Sequence, residues 1–200
     1  MAVYYKKIIG QKCYLSPVTP EDAYTWTEWF NDLEVSIPLG GVEAYMPGSL
    51  FSEQEKIMEI LQGENYVFNI VELESDTLIG MCGYYELDLI NRCARLQMVI
   101  GEKDCWDMGY GQDAARLLLD FGFNILNLNN IMLQTLSFNQ RAIHLYRSIG
   151  FSEIGRRRQA RIVGNARYDL IFMDMLSEEF DSIFIQRLLA DYPPDAYSGQ

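Results

Sequence analysis

The chain has 200 residues, 49% of them apolar and 22% charged, and its 28 acidic against 16 basic side chains leave a formal net charge of −12. That length and composition suit one globular domain with a proper core, and the negative balance argues against nucleic acid as a partner. No run approaches the roughly 20 apolar residues of a membrane span, and the N-terminus has no long apolar core or cleavage-like segment, so neither a membrane nor secretion is indicated.

Lys12 to Val18 reads as a strand that ends at Ser16-Pro17. Thr19 then serves as N-cap, with Pro20 at the first helical position and Glu21 and Asp22 in the first turn. Trp26, Trp29 and Phe30 give this helix an aromatic face, expected in the core. From Asn31 to Phe51 the prolines, glycines and lack of periodicity predict a long loop, of the kind that is functional or mobile. Ser52 and Glu55 read as a capping box for a second helix running through Leu61. Residues 20 to 64 hold ten acids and one base, a solvated surface that could also draw a cationic ligand, with Asp32, Glu34 and Glu43 on the irregular stretch.

Tyr66–Leu73 and Leu78–Leu87 read as an antiparallel pair joined through Glu74-Ser75-Asp76-Thr77. The stretch from Ala94 to Phe123 is the centre of the chain. Leu96, Met98 and Ile100 alternate with Arg95, Gln97 and Val99 as in a strand, a turn follows from Gly101, and Gly109-Tyr110-Gly111 opens a helix. Its apolar stripe is Ala114, Leu117, Leu118, Phe121 and Ile125. Ile131–Ser137 is a further strand; Asn139 caps a helix with Ala142, Ile143, Tyr146 and Ile149 on its apolar face, ended by Gly150. Phe151–Val163 and Ala166–Leu176 form a closing hairpin about Gly164-Asn165, and Ser177–Leu189 adds a short amphipathic helix before a tail containing proline and glycine. The four cysteines (Cys13, Cys82, Cys93, Cys105) are widely spaced with no C-x-x-C pair, which suits reduced thiols in the cytoplasm and no metal.

A strand that enters a helix through glycines is suited to phosphate, because the first-turn N–H groups lack partners and glycine lets an anion reach the backbone. Two readings compete. Gly109 to Ala114 satisfies the dinucleotide fingerprint G-x-G-x-x-A, but that motif calls for an acid about 20 residues later, and Asn127 to Ile131 has none. The second reading is an acetyl-CoA site. Residues 105–114, CWDMGYGQDA, resemble the diphosphate loop of the GNAT superfamily of N-acetyltransferases, in the branch that contains ribosomal-protein and polyamine acetyltransferases. Residues 139–151, NQRAIHLYRSIGF, resemble that branch's N-x-x-A-I-x-L-Y-x-x-x-G-F signature, in the expected order and spacing.

The resemblance covers about residues 12–176, within one domain of 1–200 whose last part, 177–200, is a C-terminal extension. It implies an α/β (α+β) fold: a central twisted mixed β-sheet flanked by helices, with a βαβ acetyl-CoA-binding core. It implies transfer of acetyl from acetyl-CoA to a primary amine by direct attack. Pantetheine and the acetyl carbonyl would lie on backbone groups of Met98, Val99 and Ile100, where the central strand splays from its neighbour. The diphosphate would lie on amides of Asp107, Met108, Gly109, Tyr110, Gly111 and Gln112, and Asn139 would touch the cofactor as well as cap its helix. Trp106 stands where the family often has Gln or Arg, which removes one phosphate contact but keeps the backbone cradle.

Tyr146 matches the tyrosine that protonates the departing thiolate. His144, two residues away, falls on another helix face and is read as solvent-facing. Where many relatives carry a glutamate base, this chain has Arg95, which cannot accept a proton; the alternatives are Glu86, at the end of the preceding strand, and a water chain to the surface. Arg156, Arg157, Arg158 and Arg161 are expected to pair with acids rather than phosphate. The acceptor would be a small cationic amine such as a polyamine or a protein amino group, in a cytoplasmic enzyme whose homo-oligomerisation is left open. A non-catalytic acetyl-CoA-binding protein is the competing class.

Overall fold

The computed structural model describes residues 2–63, 66–190 and 192. Eight strands form one sheet: β1 Ile8–Ile9, β2 Cys13–Pro17, β3 Tyr66–Glu72, β4 Leu78–Asp88, β5 Cys93–Ile100, β6 Asn130–Leu136, β7 Ser152–Val163 and β8 Ala166–Leu176. Their order is β1-β2-β3-β4-β5-β6-β8-β7, antiparallel throughout except for the β5–β6 pair. A parallel pair needs a crossover, and α4, Tyr110–Asn124, supplies it. The expected βαβ core and mixed sheet are therefore present.

Alternation along the strands divides two cores. Cys13 and Leu15 of β2 and Phe68 and Ile70 of β3 face α4, while Tyr14, Val67 and Val71 face α1 (Ala23–Asn31) and α3 (Leu50–Gln62). Trp26 and Trp29 lie in the second core, as their spacing predicts. In α4, Ala114, Leu117 and Leu118 are fully buried, but Ile125 is the C-cap and about half exposed, so the apolar stripe ends one turn earlier than expected.

Three boundaries differ from expectation for local reasons. The stretch after Asn31 is not a plain loop: α2, Leu33–Leu39, is capped by the Asp32 side chain, which accepts from the Glu34 N–H at 2.9 Å, and is ended by Gly40 in the left-handed conformation. Seven residues with Pro38 inside are too few to display a helical period. The cap of α3 is Ser49 with Ser52 at its third position, one turn before the Ser52–Glu55 pair. Beyond β8 the chain makes a 3₁₀ turn at Ser177–Glu179 and only later forms α6, Ile185–Leu189. The break has a cause: the buried Asp120 of α4 accepts from Ser182 Oγ and the N–H groups of Phe184 and Ile185, which no continuous helix could offer together. Of the tail expected after Leu189, most lies outside the described residues.

Candidate active site

β5 leaves the sheet at Gly101, where a Cβ would lie 2.0 Å from the Trp29 ring, so only glycine fits the turn. The chain then passes a 3₁₀ turn at Lys103–Cys105 and two left-handed residues, Asp107 (φ 60) and Gly109 (φ 88), before α4 begins. Gly109 thus absorbs a conformation that L side chains resist, and it leaves the first turn of α4 bare. Asp113, in that same turn, does not face the loop. Its buried carboxylate accepts from the N–H groups of Gln11, Lys12 and Cys13 at 2.9, 2.8 and 3.1 Å and fixes the helix to the β1–β2 turn.

Trp106 has an unforeseen role. Its indole N–H donates to the Ile100 carbonyl at 2.7 Å, so one backbone group expected to be free for ligand is already engaged. The Arg141 guanidinium stacks on the indole at 4.2 Å and its Nε lies 3.2 Å from Asp107 Oδ1. A cation thus stands beside the loop, stacked on the residue that replaces the expected Gln or Arg. No sequence pattern signalled it, because the stacking joins positions 35 residues apart.

Parallel pairing of β5 with β6 covers only Cys93↔Asn130, Ala94↔Ile131 and Arg95↔Met132. β5 continues to Ile100 and β6 to Leu136 without further partners between them. A cavity of about 690 Å³ opens on one side of this gap, bounded by Met98, Val99, Ile100, the loop from Trp106 to Gln112, and the start of α5 (Gln140–Ile149). A second, of about 200 Å³, is bounded by Phe30, Glu43, Tyr85, Gln97 and Gln134. Tyr146 borders both. It is 7% exposed, its ring meets Phe151 edge-on at 5.6 Å, and no described residue hydrogen-bonds its hydroxyl. Burial, and secondarily the neighbouring Cys82 thiol, push its pKa well up, so the phenol holds its proton through the neutral range.

Most of the expected site residues meet here. Asn139 borders both cavities, accepts from the Ala142 N–H as the α5 cap at 3.1 Å, and donates to the Pro38 carbonyl at 3.4 Å. Met108 is exposed and outside the lining, and Tyr110 points into the core, its hydroxyl bonded to Glu72. His144 is exposed, at the rim of the larger cavity. Glu86 is not brought to the site: on a bulged turn of β4 with φ 50, its side chain is 67% exposed and holds Arg95 Nη2 at 2.8 Å. The three loop acids separate. Asp32 and Glu34 both bind Lys103, at 2.7 and 2.6 Å, whereas Glu43 borders the smaller cavity. Arg156 pairs with Glu153 and Asp169, and Arg161 donates to the Gly40 carbonyl at 2.9 Å. Among the described residues no helix is long and apolar enough to cross a membrane.

A family profile for the acetyltransferase (GNAT) domain matches residues 12–152. A Bacillus licheniformis protein named as an uncharacterized N-acetyltransferase, p20, is 27% identical over 168 residues, covering 80% of this chain and 90% of its own. The spermidine N(1)-acetyltransferase of Vibrio cholerae is 30% identical over 111 residues, 56% of this chain and 64% of that protein. Among solved structures, a Vibrio cholerae spermidine N-acetyltransferase in complex with CoA and spermine superposes with a TM-score of 0.74 at 24% identity, over 84% of this chain and 97% of the other.

Proposed function

The chain belongs to the GNAT acetyltransferase family, and on that premise we propose that it moves the acetyl group of acetyl-CoA to a primary amine by direct attack, with Tyr146 as the proton donor. The observation that carries this reading is the position of Tyr146, a buried side chain that lines both cavities. The larger cavity suits the cosubstrate. Its loop exposes backbone at Gly109 and Gly111, its helix terminus favours anions, and Arg141 adds a positive charge. The smaller cavity is then the acceptor's.

Acetyl-CoA, when bound, supplies an activated thioester. The residues do the rest. Backbone groups of Met98, Val99 and Ile100, released from β6, orient the acyl end, while Asp107 to Gln112 carry the diphosphate on their amides. Of two protons lost by the acceptor's ammonium nitrogen, one is matched by the proton Tyr146 gives to sulfur, and the other leaves to solvent. Glu86 is not needed as base: it lies outside both cavities and is held by Arg95. The relatives named for spermidine place polyamines in the acceptor panel, beside protein amino groups; both are cationic.

Tyr146→Phe tests the assignment. The expected result is a kcat reduced about 100-fold, within the range of a positioned general acid, with acetyl-CoA affinity within about twofold of the parent. Unchanged kcat would return Tyr146 to the core, and lost acetyl-CoA binding would make it a structural residue. A protein that binds acetyl-CoA but releases no CoA with any amine would instead be the non-catalytic member of the fold.

A further inference from the structure

We infer that the acceptor is a primary amine carrying a single positive charge, and that Glu43 is the residue that recognises it. This rests on the acetyl-transfer reading and deepens it. The smaller cavity, about 200 Å³, has one carboxylate in its lining, Glu43; its other polar side chains are the neutral ones of Tyr85, Gln97, Gln134, Thr135, Asn139 and Tyr146, and the rest of the lining is apolar or glycine. The other loop acids lie outside its lining: Asp32 and Glu34 share Lys103, Glu34 at the edge of the larger cavity, and Glu86 holds Arg95. A cation also stands close by, because Arg161 donates to the carbonyl of Gly40, next to cavity-lining Gly41.

An ammonium taken from water into such a space needs a counter-charge or hydrogen-bond acceptors in return. Glu43 answers one. A second or third ammonium would meet amides, hydroxyls and apolar walls, with no further carboxylate in the lining. A tri- or tetracation is therefore poorly matched, whereas an amine flanked by neutral polar groups matches both the carboxylate and the glutamines. That chemistry is shared by small monoamines and by the α-amino terminus of a peptide.

The place of the Glu43 carboxylate depends on the absence of a side chain at Gly41. A Cβ built on Gly41 would lie 2.1 Å from Glu43 Oε2, so the carboxylate rests against bare backbone. Gly41 itself has ordinary extended angles (φ −89, ψ −167) that alanine adopts without strain. Gly41→Ala therefore displaces the carboxylate and little else. Tyr85 lines the same cavity as Glu43, and burial, then the Glu43 charge, raises its hydroxyl's pKa.

The test uses the full chain with acetyl-CoA, CoA release, and four acceptor types at low and high salt: a monoamine, a diamine, spermidine and spermine, and a tripeptide amide whose free α-amino group is its one ionisable group. Calorimetric binding of each acceptor to the CoA-loaded protein is read in parallel. Glu43→Gln should lower kcat/KM for the monocationic acceptors about 10- to 100-fold, mainly through KM, as expected for loss of a hydrogen bond to a charged group. Gly41→Ala should reproduce part of that loss and add nothing to Glu43→Gln, while Asp32→Asn stays within about twofold of the parent. Preference between the small amine and the peptide amide identifies the source and upholds the class either way. Affinity and kcat/KM that climb with every added ammonium, or Asp32→Asn costing as much as Glu43→Gln, would overturn the inference. Because binding is measured separately, absence of turnover with every acceptor would strike the transfer reading and leave recognition by Glu43 decided by the calorimetry.

Discussion

The contact between Gly10 and Asp113 lets the anchoring of the cofactor helix be measured. Asp113 accepts from three backbone N–H groups of the β1–β2 turn, but only that of Cys13 is fully buried; those of Gln11 and Lys12 lie in exposed residues that water can serve. Removing the carboxylate by Asp113→Ala should cost about 2 kcal/mol for the buried charge-assisted bond and about 0.5 kcal/mol for each of the others, so about 3 kcal/mol together. A Cβ on Gly10 would lie 2.4 Å from Asp113 Oδ2 and 2.8 Å from its Cγ, and Gly10 is not in the left-handed region. Gly10→Ala should therefore cost about 2 kcal/mol by pushing the carboxylate off its donors. The same substitution in an Asp113→Ala background should be nearly free, because the atoms it strikes are gone. Urea unfolding of the four proteins gives the cycle, with a coupling of about 2 kcal/mol expected where distant sites would add to within about 0.5 kcal/mol. Additive losses would show that Gly10 is kept for some reason other than room for Asp113.

Gly109→Glu should abolish the rise in melting temperature that acetyl-CoA produces, by placing a carboxylate where phosphate binds, whereas Gly109→Ala, equally strained at φ 88, should retain part of it; equal loss in both would assign the effect to backbone strain. Trp106→Phe keeps a ring beneath Arg141 and removes the bond to the Ile100 carbonyl, and about 1 kcal/mol, or about fivefold weaker acetyl-CoA binding by calorimetry, is the expected cost; unchanged affinity would detach Trp106 from the site. Burial raises the Cys13 and Cys82 thiols in the folded chain, while an unfolded thiol ionises near about 8.5, so their contribution is complete below that pH and is lost above it. Stability should fall by up to about 1.4 kcal/mol per pH unit for each such thiol in that range, and Cys82→Ala should make the fall between pH 9 and 10 shallower by about that one thiol's share; an unaltered slope would mean that Cys82 is not responsible.

The fold was legible wherever short-range rules fix it. Alternation marked the strands, Gly109 and Gly150 marked a start and a stop, and Asn139 capped its helix as its position predicts. What failed was where a short segment depends on tertiary partners. Nothing in Ser177–Leu189 announces that Asp120, some 60 residues earlier, will claim two of its backbone N–H groups and split it. α2 was hidden because its helix is held by an Asp32 cap and Gly40, with Val35 and Ser36 as its buried positions, a pattern too short to be periodic.

The same distinction separates the two halves of the site. Residues that would serve the cosubstrate come from contiguous motifs at 98–112 and 139–146, where backbone geometry does the work and side-chain identity is recorded locally. The smaller cavity, which would take the acceptor, is bounded by Phe30, Glu43, Tyr85 and Gln134, which no spacing rule connects. Arg95 shows what this implies for the chemistry. It stands at the last paired register before the strands diverge, with one nitrogen on Glu86 and a buried Nε that has no partner among the described residues. A guanidinium there cannot take a proton, and the carboxylate it holds points outward. Any negative charge offered to an incoming amine must then come from outside the central strand, and α2 with the 3₁₀ turn behind it is the segment that delivers one, at Glu43. On the proposed reading, the stretch that looked least structured in the sequence is the one from which the acceptor's counter-charge would come.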